Sequence, residues 1–387
     1  MEHTKSKKTN LALLPILFGF FIMGVADVVG ISSAYVKRDF ELSDALANLL
    51  PMMVFVWFAV FSVPTGVMMS RLGRKNTVLI SMVVSLLALL VPLIAYQFYT
   101  VLIAFALLGI GNTILQVAIN PLLTNVVRGE KVASSLTLGQ FIKAIASFSG
   151  PIIAGFASGT LGNWKLIFPI FAAVTLLSSI WLLLVPIPKE KISETPTGFM
   201  ESFSLLKNPT ILLYFFAIVL LVGIDVGLNT SLPKLLMART DMPIEEAGLG
   251  TSLYFAARTL GSFTGAILLM KLSGRKMYIG SAILGIVAMT LIFLVTNLWI
   301  LFALIFCLGL AVANVFPIVF SAALQKDPQH ANEISGLLIM GVAGGAIVPP
   351  IMGIVADAAG QTASLIVLLI AFIYLLINAL RMKEKAE

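Results

Sequence analysis

Stretches of about 20 mostly apolar residues recur along this chain from end to end, and that recurrence restricts its fold more than any other feature. An α-helix of that length rises about 30 Å, the thickness of a bilayer's hydrocarbon core. Inside that core a helix satisfies its own peptide groups, which a loop or an open strand cannot do without water. Twelve spans are expected, near residues 11–36, 45–70, 76–97, 99–126, 133–158, 164–187, 210–238, 246–271, 277–295, 298–325, 332–357 and 362–381. Charged residues make up 11% of the chain, against about 25% in a typical soluble domain. The expectation is therefore an all-α membrane protein with 12 transmembrane helices. Spans 1, 4, 7 and 10 contain Gly, Asn or Pro, as suits helices that bend around a cavity.

The basic tail MEHTKSKKTN precedes an apolar run that is too long for a secretory signal and has no small-residue cleavage site, so no cleaved leader is expected. The single Cys307 lies in an apolar run and offers no disulfide framework or thiolate site. His3 and His330 are far apart, which argues against a histidine metal site, and no cofactor is expected.

Lysine and arginine orient the spans. Lys5, Lys7 and Lys8 precede span 1, Arg71, Arg74 and Lys75 follow span 2, and Arg128 and Lys131 follow span 4. Lys189, Lys191 and Lys207 lie between spans 6 and 7, Lys271, Arg275 and Lys276 follow span 8, Lys326 follows span 10, and Arg381, Lys383 and Lys385 close the chain. With twelve spans all of these fall on one side, which the positive-inside rule makes cytoplasmic, with both termini there. The net charge of +7 is thus a topology signal. Contact with anionic lipid heads is a by-product, and nucleic acid is excluded as a partner. The lipid bilayer is the expected surrounding and a monomer the expected state.

Between Pro186 and Pro209 the composition turns polar, with Lys189, Glu190, Lys191, Glu194, Pro196 and Glu201. This segment reads as a cytoplasmic linker, 188–209, between an N-terminal six-helix half, 1–187, and a C-terminal one, 210–387. The halves echo each other. Span 2 ends in GVMMSRLGRK (Gly66 to Lys75) and span 8 in GAILLMKLSGRK (Gly265 to Lys276). GVADVVG in span 1 and VGIDVGLN in span 7 set Asp225 opposite Asp27, and GIGNTILQVAINP in span 4 is loosely echoed by GLAVANVFP in span 10. Two such halves about an axis along the membrane normal are the architecture of the major facilitator superfamily. GVMMSRLGRK resembles that superfamily's loop Gly-x3-Asp-Arg-x-Gly-Arg-[Arg/Lys] between spans 2 and 3. The resemblance implies a part in the inward–outward switch for Gly66, Arg71, Gly73, Arg74 and Lys75; the alternative is that the basic residues only anchor the loop inside. Ser70 stands where the usual Asp would be, which puts in question the salt bridge that the Asp makes in relatives.

Four charges fall near the middle of their spans: Asp27 in span 1, Lys143 in span 5, Asp225 in span 7 and Arg258 in span 8. A charge at the bilayer centre costs about 3 kcal/mol on insertion scales, so such residues are functional candidates. The alternative is two structural salt bridges. Desolvation favours the protonated form of a carboxylate and a nearby cation the ionised form. A carboxylate whose partner moves away can therefore load a proton on one side and release it on the other. Asp27 and Asp225 are the candidate carriers, with Asp27 preferred; Lys143 and Arg258 are partners or substrate ligands, and Arg stays charged throughout.

Asn112, Gln116 and Asn120 share one face of span 4 at i, i+4 and i+8. Gln140 lies one turn before Lys143, Asn229 one turn after Asp225, and Asn314 in span 10. Amides both donate and accept, which suits a sugar's paired hydroxyls; the alternative is glue between helices. Tyr35, Trp57, Tyr254 and Phe316 offer aromatic faces for a pyranose ring or serve as packing.

GIGNTILQVAINPLLTNV (Gly109 to Val126) resembles the Leu-Gln-x-Ala-x-Asn-Pro signature of the fucose/glucose/galactose–proton symporter family within the facilitator superfamily. SLTLGQFIKAIAS (Ser135 to Ser147) is similar to its span 5 stretch Leu-Asn-Leu-Ala-Gln-x-Phe-Asn-Ser, LVGIDVGLN to its Val-Gly-x-Glu-Val, and AARTLGSF (Ala256 to Phe263) to its Gly-Arg-Phe-x-Gly. The resemblance covers spans 1 to 8 in order and implies a sugar importer driven by a proton gradient, working by alternating access, in a bacterial cytoplasmic membrane. Gln116 stands where fucose carriers place Glu, Thr137 and Lys143 replace the span 5 Asn positions, and Asp225 shortens a Glu. A lysine on the sugar-binding face suggests an anionic sugar such as a sialic acid or uronate, held by Lys143 or Arg258. Competing readings are a proton antiporter exporting a drug or metabolite, and a sugar-sensing receptor. An enzyme is not expected, because no nucleophile–base or metal constellation occurs.

Overall fold

The computed structural model describes residues 2–42, 46, 49–129, 131–188, 199–240 and 244–382. All regular structure among these residues is helical. The expected linker falls largely on 189–198, outside the described residues. Eleven helices among the described residues are long and apolar enough to cross a membrane. Span 8, Ile244–Leu268, forms a helix of 25 residues but does not meet that measure; Glu245, Glu246 and Arg258 dilute its apolar character.

Spans 2, 3 and 4 are single helices, Leu49–Leu72, Arg74–Ile94 and Phe98–Thr124, as are span 5, Lys131–Leu161, and span 7, Pro209–Thr240. Three others are broken. Span 1 runs as Glu2–Val25 and Val29–Asp39 about a 3-10 turn at Ala26–Val28. Span 10 is divided at Asn314 into Leu298–Ala313 and Val315–Lys326, and span 11 at Gly341–Ala343 into Ala331–Met340 and Gly344–Ala359. The expected bends are thus present in spans 1 and 10. In span 4, Pro121 sits too near the helix end to break it. In span 7 the glycines serve packing: a Cβ on Gly223 would lie 2.6 Å from that of Val348, and one on Gly227 2.6 Å from the Met352 sulfur.

The chain groups into two compact units. The first comprises Met1–Arg128, Gly139–Leu205 and Asp327–Met340; the second comprises Gly129–Leu138, Leu206–Lys326 and Gly341–Glu387. The start of span 5 therefore groups with the second unit and the first half of span 11 with the first, an exchange that a division at the linker does not anticipate.

Each unit repeats the other's packing. In the first, span 4 meets spans 2 and 3, and a Cβ on Gly109 would fall 2.5 Å from the Val54 carbonyl oxygen. In the second, span 10 meets span 8, and a Cβ on Gly309 would fall 2.5 Å from the Tyr254 carbonyl oxygen. Only glycine allows backbones to come that close. Outside these seams large apolar side chains such as Phe55, Val83, Leu177 and Ile354 are exposed. Water would penalise such a surface, whereas lipid tails match it.

Candidate functional site

Asp27 lies in the 3-10 turn that interrupts span 1. Ser147 Oγ of span 5 donates to its Oδ2 at 2.5 Å, and the Lys143 ammonium stands 4.0 Å from the same oxygen. Gly24 lets the two spans approach, since a Cβ there would lie 2.7 Å from that of Ala146 and would strike the Lys143 carbonyl. Asp27 and Lys143, picked out as isolated charges in the sequence, are thus neighbours. Ser147 was missed as a site residue because a serine in a membrane helix ordinarily bonds its own backbone; its hydroxyl also lies 3.1 Å from the Lys143 carbonyl.

The second unit holds a tighter pair. Arg258 donates to Asp225 Oδ2 at 2.5 Å and the Tyr254 hydroxyl to Oδ1 at 2.6 Å, so both carboxylate oxygens are engaged. Tyr254 is fully buried. It precedes Arg258 by one helical turn, so both donors face span 7.

The polar residues divide by exposure. Gln116, Gln140 and Asn229 are half-buried. Asn112 and Asn120 are buried, and the Asn120 amide donates to the Gln116 carbonyl at 2.7 Å. Asn314 is buried at the break in span 10 and donates to the Gly261 carbonyl at 3.0 Å, which fastens span 10 to span 8. Tyr35 stacks on Trp164 with ring centroids 4.9 Å apart. Asp39 joins that cluster, accepting from Trp164 Nε1 at 2.8 Å and from the Tyr96 hydroxyl at 2.9 Å. Burial, and then the Asp39 carboxylate, push the Tyr96 phenol well above its ordinary value, so it remains a donor. Trp57 packs edge-on against Phe61, and Phe316 stacks on Phe320.

In the loop after span 2, Gly73 adopts φ 82°, the left-handed region that favours glycine. Arg74 is buried and donates to the Pro121 carbonyl at 3.0 Å, Thr124 Oγ1 at 3.0 Å, Asn125 Oδ1 at 2.6 Å and Asn332 Oδ1 at 2.8 Å. Lys75 donates to the Leu183 and Val185 carbonyls at 3.0 and 2.8 Å. Each cation closes a helix C-terminus, Arg74 that of span 4 and Lys75 that of span 6, where carbonyls lack partners and the helix dipole is negative. Arg275 repeats this in the second unit, donating to the Leu380 carbonyl of span 12 at 3.0 Å. Arg71 is exposed. Gly66 brings span 2 against the backbone of span 11, where a Cβ would lie 2.9 Å from the Asn332 carbonyl oxygen. Ser70, at the position of the motif's usual Asp, donates to Glu333 Oε1 at 2.6 Å. The carboxylate comes from the opposite helix. Glu333 is 3% exposed, yet the sequence reading passed over it because it lies at the end of a span, where charges are ordinary.

Among the described residues no group of three or more His, Cys, Asp or Glu is placed to hold a metal. The Major Facilitator Superfamily model matches residues 16–243 and 215–387, almost the whole length. The chain belongs to the Major Facilitator Superfamily. As a member it is a multi-pass membrane transporter, not an enzyme. It is 26% identical to a glucose/galactose transporter of Brucella abortus over 97% of this chain and 94% of that one. It is 24% identical to the L-fucose-proton symporter of Escherichia coli over 90% of this chain and 87% of that one. The fold matches the fucose transporter FucP in the outward conformation with a TM-score of 0.85 at 18% identity, covering 98% of this chain and all of that one.

Proposed function

We propose that this facilitator imports a sugar, a hexose or an acidic sugar, by proton symport through alternating access. The observation that carries the reading is the Asp27 site: a carboxylate at a helix break near the middle of a span, held by a hydroxyl and a distant ammonium. Such a carboxylate can exchange its partner for a proton at small structural cost. The sugar and proton assignments draw on the glucose/galactose and fucose relatives. Gln116, Asn120 and Gln140 of the first unit, and Asn229 and Asn314 of the second, are each proposed as sugar-binding amides, with Gln116, Gln140 and Asn229 the ones left accessible. Gly66, Arg71, Gly73, Arg74 and Lys75 are proposed to act in switching, with Arg74 as hub. The basic residues support cytoplasmic termini in a bacterial inner membrane, with the protein acting as a monomer.

The test is Asp27→Asn in proteoliposomes. Uptake driven by an inward proton gradient falls at least about tenfold, as loss of a required general acid–base group implies. Sugar exchange across vesicles preloaded with the same sugar persists. Full gradient-driven uptake by Asp27→Asn would remove Asp27 from the coupling step.

A further inference from the structure

The two acid–base pairs look alike in sequence and differ in geometry. In the second unit Asp225 spends one oxygen on Arg258 and the other on Tyr254. In the first, the Lys143 side chain is one-quarter exposed, and its ammonium carries three N–H donors and makes no hydrogen bond to any described residue. The nearest carboxylate oxygen, Asp27 Oδ2 at 4.0 Å, is beyond hydrogen-bond range and is already taken by Ser147. Asp27 Oδ1 has no hydrogen-bond partner among the described residues. The helices Phe98–Thr124 of span 4 and Ile167–Leu184 of span 6, which pack on the first helix of span 1, contain no charged residue, and Lys165 at the head of span 6 lies over the Tyr96 ring instead. Span 2, against its outer part, carries only Arg71, at the far end. Lys143 is therefore the one charge facing Asp27 from the described elements packed on it. Gly24 seats span 1 directly on the Lys143 backbone, which holds this residue beside the Asp27 turn.

We propose that Lys143 selects an anionic sugar: the sugar's carboxylate replaces Asp27 as partner of the ammonium, and Asp27, released, takes the proton on Oδ1. The proposal rests on the symport reading above and assigns the substrate's charge and the order of events. Arg258, already committed to Asp225, plays no part in this exchange. The charges balance. In the empty site Asp27 and Lys143 cancel. In the loaded site the ammonium cancels the sugar carboxylate, and Asp27 is neutral. One proton and one monoanionic sugar cross together without moving net charge, whereas a neutral sugar with the same proton would carry one positive charge across.

The experiment measures uptake of labelled glucuronate and glucose by the reconstituted protein under an inward pH gradient, with the membrane potential set by potassium and valinomycin. Wild type is expected to take up glucuronate in preference to glucose, at a rate the potential does not change. Lys143→Gln is expected to lower the glucuronate-to-glucose ratio at least about tenfold, as loss of one charge-assisted hydrogen bond implies, while Lys143→Arg largely keeps it. An unchanged ratio in Lys143→Gln, a wild-type preference for glucose, or glucuronate uptake driven by the potential would each overturn the proposal. The last two need only the wild-type protein and decide the matter if the variant does not fold. Glucose uptake driven by the pH gradient without glucuronate uptake ends this proposal and leaves the symport reading standing; no gradient-driven uptake of either sugar ends both.

Discussion

Asp225 has both oxygens held by short donors, and Asp27 has one held by a hydroxyl, so equal-looking acids carry unequal constraints. Tyr254→Phe removes a hydrogen bond to a carboxylate and is expected to cost about 1.5–3 kcal/mol, read as a lower midpoint of unfolding in detergent. Ser147→Ala loosens Asp27 without deleting a charge. Its expected effect is a shifted pH profile of uptake with little change in unfolding, and an unshifted profile would mean that the Ser147 bond plays no part in holding the proton site. The charged residues of both pairs were legible because an acid or base in an apolar run is conspicuous. Their pairing was not, since Asp27 and Lys143 are far apart in sequence and many partners were possible. Ser147 and Glu333 gave weaker signals, one being an ordinary serine and the other sitting at a span end.

At the scale of helices, the loop after span 2 works as a set of caps. Arg74→Ala removes four hydrogen bonds, three to groups at the end of span 4 and one to Asn332 of span 11. It is expected to lower the unfolding midpoint sharply, whereas Arg71→Ala, at an exposed position, should change stability by no more than about 0.5 kcal/mol. Equal effects of the two would contradict the capping account. Gly24→Leu forces a side chain into the seam between spans 1 and 5, and the expected cost is about 1–3 kcal/mol of overpacking, together with loss of uptake. Helix existence was legible from apolar run length, and breaks in spans 1 and 10 from their Gly and Asn content. Spans 4 and 7 show why the same residues do not always break a helix: a proline near the end leaves span 4 continuous, and glycines packed against a neighbour lie within a continuous span 7. The break in span 11 coincides with GVAGG, a signal present in the sequence and not used.

At the scale of the whole molecule, the repeat between halves was legible from ordered motifs about 200 residues apart, and the packing bears it out in the matched contacts of Gly109 on Val54 and Gly309 on Tyr254. The assignment of Gly129–Leu138 and Asp327–Met340 to opposite units was not legible, because it depends on which surfaces the helix ends meet and not on any local pattern. The central claim is that sugar and proton enter together. Its most direct test is to add a sugar panel, neutral and acidic, to lightly buffered proteoliposomes and record the external pH. The account predicts alkalinisation outside on addition of the transported sugar, abolished by Asp27→Asn. Sugar uptake with no change in external pH, or with acidification, would contradict it.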